Sequence, residues 1–139
     1  MDVPVTYDDW YNGLTAFKNE LGIEAPSYTS KYGIDVTGDF MAGYGTAPYF
    51  YQEDGVVKYG PMDDAYRDYL VMLNKWWEEG LLDHDFATRA STGITADNDM
   101  MLNDKVGSLT DYGTRLSDAY VTRGASNPDF NPGRHTAAG

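Results

Sequence analysis

Apolar residues first recur in a helical period at Tyr7, Trp10, Leu14, Phe17 and Leu21, steps of three and four that gather them on one face. Asp8, Asp9, Asn12, Asn19 and Glu20 fall on the other face. Thr6 with Asp9 has the spacing of a capping box, with Asp in place of Glu, and Gly22 stands where a left-handed cap ends such a helix. From Ala25 to Ala47 the pattern assigns no element, because Gly33, Gly38, Gly43 and Gly45 punctuate a stretch of mixed polarity bounded by Pro26 and Pro48. The runs Tyr49 to Gln52 and Val56 to Tyr59, joined through Glu53-Asp54-Gly55, predict a β-hairpin, with Tyr49, Tyr51 and Tyr59 as cross-strand partners.

Pro61 is expected to open the longest helix, in which Met62, Tyr66, Tyr69, Leu70, Leu73, Trp76 and Trp77 form a wide apolar face. Asp63 and Arg67 are spaced to pair on its exposed side, and Gly80 closes it. Asp83 to Phe86 reads as a turn or short helix, and Thr95 as the cap of another short helix carrying Met100, Met101 and Leu102. Lys105 to Leu109 is β-like and leads through Thr110 to Gly113 into a helix bearing Leu116, Ala119, Tyr120 and Val121. Residues 123–139 read as a loop or frayed tail, and residues 1–139 as one domain.

Composition narrows the function classes. Hydrophobic residues at 42% and aromatics at 14% exceed what a disordered segment carries, so acidity here does not mean disorder. With 22 acidic against 10 basic residues the net charge is −12, a field that repels a phosphate backbone; nucleic acid is not an expected partner. No apolar run is long enough to insert in a membrane. The absence of cysteine removes disulfides, thiolate metal sites and a cysteine nucleophile. Met1-Asp2-Val3-Pro4 has neither the basic start nor the apolar stretch of a signal peptide, so a secreted parent implies that this is an excised piece.

Several segments together resemble the extracellular solute-binding proteins, in particular the sugar-binding lipoproteins. Pro4-Val5-Thr6-Tyr7-Asp8-Asp9-Trp10 is similar to the family's start of the first helix of the second lobe, and Asp54-Gly55-Val56-Val57-Lys58-Tyr59-Gly60-Pro61 to its hairpin, with Val56 for the usual lysine. Tyr69-Leu70, Leu73-Asn74-Lys75-Trp76-Trp77, Glu79-Gly80-Leu81-Leu82-Asp83 and Asp85-Phe86-Ala87-Thr88 follow the family's order, with His84 where proline is usual. Asn103-Asp104-Lys105-Val106-Gly107-Ser108 resembles the segment preceding a cleft strand, with Asp104 for glycine, and Asn127-Pro128-Asp129-Phe130 a recurrent loop.

The resemblance implies a helix-rich α/β fold, most of one lobe of a two-lobe periplasmic-binding-protein-like architecture of type II, with the first lobe and the returning C-terminal portion lying elsewhere. It implies a carbohydrate ligand, an oligosaccharide by preference, ABC permease subunits as partners of the full-length parent, and a cell-surface lipoprotein outside the cell. No cofactor and no catalysis are expected. In an open α/β sheet the ligand lies beyond the carboxyl ends of the strands, which here points to Thr110, Asp111, Tyr112 and Gly113. Asp111 can accept from sugar hydroxyls and Tyr112 can offer a ring face, or the pair can simply cap and pack. Tyr44, between Gly43 and Gly45, and Trp77 are further candidates for ligand contact.

Other chemistries have less to stand on. Asp97, Asn98 and Asp99 lack the glycine and distal glutamate of an EF-hand calcium loop and read as a solvated helix start. His84 between Asp83 and Asp85 imitates an oriented base but reads as solvent-facing, and His135 falls in the tail. Nothing singles out a glycosidase pair among 22 carboxylates, and no phosphate loop, nucleophile elbow or metal signature appears. Two alternatives stay open: an interaction domain of a polysaccharide-active enzyme, and a solute-binding protein for a non-sugar ligand such as a peptide.

Overall fold

A computed structural model describes residues 3–88, 100 and 103–110. Helix α1 spans Tyr7–Asn19 and begins with the expected capping box: the Asp9 amide donates to Thr6 Oγ1 at 3.1 Å while the Thr6 amide donates to Asp9 Oδ2 at 2.9 Å. Two otherwise orphaned donors are thereby satisfied. Leu14 is fully buried, and Tyr7, Trp10 and Phe17 pack on the same core. Gly22 has φ of +67°, the left-handed conformation expected of it, and Leu21 lies exposed beyond the helix end.

The stretch without a sequence signal contains the first strand, β1, Ala25–Tyr28, every residue of which is buried. It pairs in parallel with β4, Val106–Leu109, in the register Ala25 to Val106, Ser27 to Ser108 and Tyr28 to Leu109. On its other side a bridge joins Ser27 to Leu82, with the Ser27 amide donating to Leu81 and the Asp83 amide to Ser27. A buried strand flanked on both sides needs no alternation of polarity, and Pro26 and Ser27 disguise it as a loop. A five-residue π-helical turn, Gly33–Thr37, and a single 3₁₀ turn, Ala42–Tyr44, follow.

Strands β2, Phe50–Glu53, and β3, Val56–Tyr59, form the expected antiparallel hairpin. Asp54 and Gly55 carry φ of +52° and +80°, the paired positive angles that match a two-residue turn to the twist of its strands. Phe50 and Tyr59 pair across it with ring centroids 4.8 Å apart. Tyr51 turns away to donate its hydroxyl to Asp63 at 2.7 Å.

The longest helix starts later than Pro61. Residues Gly60–Met62 make a 3₁₀ turn, and α2 spans Asp64–Glu78. Asp63 precedes it without capping it, and its carboxylate accepts from Tyr51 and, at 3.1 Å, from Thr46 rather than serving the pairing with Arg67 that the spacing predicts. The apolar face is also narrower than its pattern: Tyr69, Leu73 and Trp76 are buried, whereas Met62, Leu70 and Trp77 are exposed. At the far end Gly80 has φ of +66°; its amide donates to Trp77 and that of Leu81 to Trp76, the paired bonds of a Schellman cap. Lys18 of α1 donates its ammonium to the Glu79 carbonyl, adding a cation where the helix dipole is negative.

The core joins α1 to α2 through Leu14, Ile34, Met41, Tyr69, Leu73, Trp76, Leu81 and Leu82. Packed against it, the half-buried Phe40 meets Trp10 and Trp76 edge-on at 5.3 and 5.2 Å, although its φ of +65° is a conformation a side chain disfavours. A smaller cluster under the parallel strands unites Ala25, Tyr28, Met100, Val106 and Leu109.

Candidate functional site

Because β1 and β4 run in parallel, their carboxyl ends lie side by side, and Tyr28 opposite Leu109 sets Thr29 and Ser30 beside Thr110. Ser30 Oγ accepts from the Gly33 amide at 3.2 Å and so starts the turn that follows the strand. Thr29 Oγ1 donates to Asp39 Oδ2 at 3.0 Å, and Thr37 Oγ1 donates to Asp39 Oδ1 at the same distance. One carboxylate thus ties the strand end to the turn, and the Tyr69 hydroxyl holds the Asp39 carbonyl from the core at 2.8 Å. Burial is the main reason that the Tyr69 hydroxyl ionises far less readily than usual, with the Asp39 charge next. The Lys31 amide donates to the Phe86 carbonyl at 3.2 Å, which fixes the segment after Asp83 against the same edge. The result is a braced strand-end rim in which Thr29 and Ser30 are buried, at 5% and 8% exposure, and hydrogen-bonded within the protein, while Thr110 beside them is exposed.

A hollow of about 370 Å³ lies at the other end of β1, lined by Lys18, Glu24, Glu78, Asp83, His84 and Asp85. Among the described residues no group of three or more His, Asp or Glu side chains is placed to hold a metal ion. His84 donates Nε2–H to the Trp77 carbonyl at 2.8 Å, and its ring stacks on the Trp77 indole at 4.8 Å. Asp83, only 5% exposed, accepts from the Asp85 amide. His84 therefore serves to tie down a turn.

Thr110, exposed at the end of β4, is where the strand rule puts it; Asp111, Tyr112 and Gly113 lie outside the described residues. Tyr44 occupies the 3₁₀ turn, half-buried, with its ring 4.9 Å from Tyr7 and 6.0 Å from Tyr69. Trp77 is 40% exposed near the acidic hollow, away from the rim. Sequence reasoning misses Thr29 and Ser30, since Ser27 to Ser30 reads as a polar loop once β1 goes unseen. The expected helices after Thr95 and after Gly113, the Asp97 to Asp99 cluster, His135, the Asn127 to Phe130 loop and the tail at 123–139 also lie outside the described residues.

The helices packed on a parallel strand pair, with a braced rim at its carboxyl ends, have the fold of one lobe of a solute-binding protein. The chain is 31% identical over 128 residues to lipoprotein LipO of Bacillus subtilis (strain 168), a match covering 84% of this chain and 25% of that protein. It superposes on the crystal structure of alginate-binding protein AlgQ2 without calcium ion with a TM-score of 0.74 and 22% identity, covering 97% of this chain and 28% of that one. No family model matches. Both likenesses support the resemblance read from the sequence, that of a partial solute-binding protein, and the chain spans about a quarter of the length of the curated relative it matches. Among the described residues no helix is long and apolar enough to cross a membrane.

Proposed function

We propose that residues 1–139 form most of the second lobe of an extracellular solute-binding protein, a cell-surface lipoprotein that binds a carbohydrate and delivers it to the permease of an ABC importer. The observation that carries this reading is the parallel β1–β4 pair, whose carboxyl ends lie side by side as one rim and present the exposed Thr110 over the buried, internally bonded Thr29 and Ser30. Hydroxyls and backbone groups held by a rigid scaffold bind sugar hydroxyls without altering them, and closure of a second lobe over that rim completes the capture. The likeness in sequence to a lipoprotein and in fold to an alginate-binding protein supports the location and the ligand class. Titration calorimetry of the intact parent against a panel of oligosaccharides tests it: binding of at least one is expected. Heat with a peptide or metabolite and none with any sugar rejects the carbohydrate assignment.

A further inference from the structure

The hairpin has two unlike faces. Antiparallel pairing sets Tyr51 opposite Lys58 and Glu53 opposite Val56 on one side, and Phe50 opposite Tyr59 and Gln52 opposite Val57 on the other. The first side is tied to the molecule and to itself: the Tyr51 hydroxyl donates to Asp63 at 2.7 Å, and the Lys58 ammonium pairs with the Glu53 carboxylate. Asp63 also accepts from the buried Thr46, and at the hairpin base a β-carbon on Gly60 would strike the Ala47 carbonyl oxygen, so the ribbon is held closely at its root. The second side carries no charged residue. Phe50 is 73% exposed, Val57 70% and Tyr59 41%, and the Phe50 and Tyr59 rings lie against each other.

We infer that this apolar face is an intramolecular docking surface, covered in the intact parent by polypeptide from outside residues 1–139; the inference rests on the reading of the chain as one part of a larger solute-binding protein. A two-stranded ribbon is marginal alone in water and gains stability when an apolar face is covered. Among the described residues nothing covers this one, while the bond from Tyr51 to Asp63 fixes the opposite face and so sets the direction in which Phe50, Val57 and Tyr59 are presented. The chain spans about a quarter of the curated relative it matches, which leaves most of the parent to supply the cover. Charge separates that occupant from a second copy. Each copy brings the −12 of this region, and Phe50, Gln52, Val57 and Tyr59 hold no charge with which to offset the repulsion. A segment of the same polypeptide needs no such encounter, because the connecting chain sets its effective concentration. Its matching surface is aliphatic or aromatic and uncharged, with one polar group to meet the Gln52 amide.

Cysteine labelling of the intact parent tests the surface, because Val56 and Val57 are chain neighbours on opposite faces with similar exposure in this structure, 59% and 70%. Each variant is treated with a maleimide, the rate is read by mass spectrometry of the peptide that contains the new thiol, and it is divided by the rate in concentrated urea. Val57→Cys is expected to react at least about fivefold more slowly than Val56→Cys in the folded parent, as a thiol does that is reached only through local opening. Should Val57→Cys not fold, as judged by circular dichroism, Gln52→Cys on the same face takes its place against Val56→Cys. A smaller difference overturns the surface and leaves the carbohydrate reading standing. Protection that fades on dilution overturns the assignment in favour of a second copy, and protection that needs added oligosaccharide overturns it in favour of a ligand. Protection in a parent that binds no sugar supports the surface and rejects the carbohydrate assignment alone.

Discussion

Phe40 offers a test in which two substitutions, alike by side-chain loss, are expected to differ because of the backbone. Its ring fills the space between Trp10 and Trp76, and its φ is +65°. Phe40→Ala removes the ring and both edge-on contacts; for a half-buried phenylalanine the cost is about 3 kcal/mol, the lower end of the range for such truncations. The alanine still carries a β-carbon in the left-handed region, which costs roughly 1–2 kcal/mol. Phe40→Gly loses the same ring but not through a strained residue, and the greater freedom of glycine in the unfolded chain returns about 0.5 kcal/mol of that advantage. Glycine should therefore be the more stable variant by about 1 kcal/mol, the reverse of the usual order in regular structure. Urea denaturation followed by tryptophan fluorescence reads this directly, since Trp10 and Trp76 flank the site, and about 1 kcal/mol moves the midpoint by roughly 0.5 M. An alanine variant as stable as the glycine variant, or more so, would refute the claim that the backbone at Phe40 is strained and that the aromatic contacts hold it there.

Further expectations follow from single contacts. The Thr6 backbone and side chain, followed by Val5, lower the pKa of Asp9 below the usual carboxylate range, so its contribution to stability is present above about pH 4 and is lost as pH falls through the lower folded-state value. The melting temperature of Asp9→Asn should trail the parent near pH 6 and converge with it near pH 2; a constant gap refutes the role of the charge. Tyr69 has its folded-state pKa raised, chiefly by burial, so its stabilising effect is complete below about pH 10 and declines as pH rises above the unfolded value. Tyr69→Phe should cost about 1–2 kcal/mol at neutral pH, through the lost bond to the Asp39 carbonyl, and should fall away less steeply in alkali when unfolding is followed across pH. A β-carbon at Gly107 would stand 2.6 Å from the Phe17 ring and 2.6 Å from the Pro26 carbonyl oxygen, so Gly107→Ala should destabilise by about 1–3 kcal/mol in the same denaturation assay. A neutral result there would mean that β4 does not approach α1 as closely as described.

Elements whose stability is local are readable from sequence. Thr6 and Asp9 cap α1 from three residues apart, Asp54 and Gly55 make their turn unaided, and Gly80 ends α2 through bonds within its own last turn. What escapes depends on distant partners. β1 is a strand because Val106 to Leu109 and Leu82 enclose it, not because Ala-Pro-Ser-Tyr favours extension. α2 starts after Asp63 because that residue is extended, at φ −84° and ψ 143°, with its carboxylate held by Tyr51 and Thr46 from distant segments. The candidate rim is half legible for the same reason: Thr110 follows a strand with a visible pattern, whereas Thr29 and Ser30 follow one without.

The pairing of β1 with β4 also bears on how the chain is made. Ser108 reaches the Pro26 carbonyl across 82 positions of sequence. At ordinary elongation rates of about 5–20 residues per second, roughly 4–16 s pass between the synthesis of the two. During that interval α1 and the hairpin can form from neighbouring residues, while Ala25 to Tyr28 lacks β4 and gains only the bridge to Leu82 on its other side. Contacts of such wide separation slow folding. A nascent polypeptide halted before Lys105 should leave this segment open to proteases, and release of the arrest should close it.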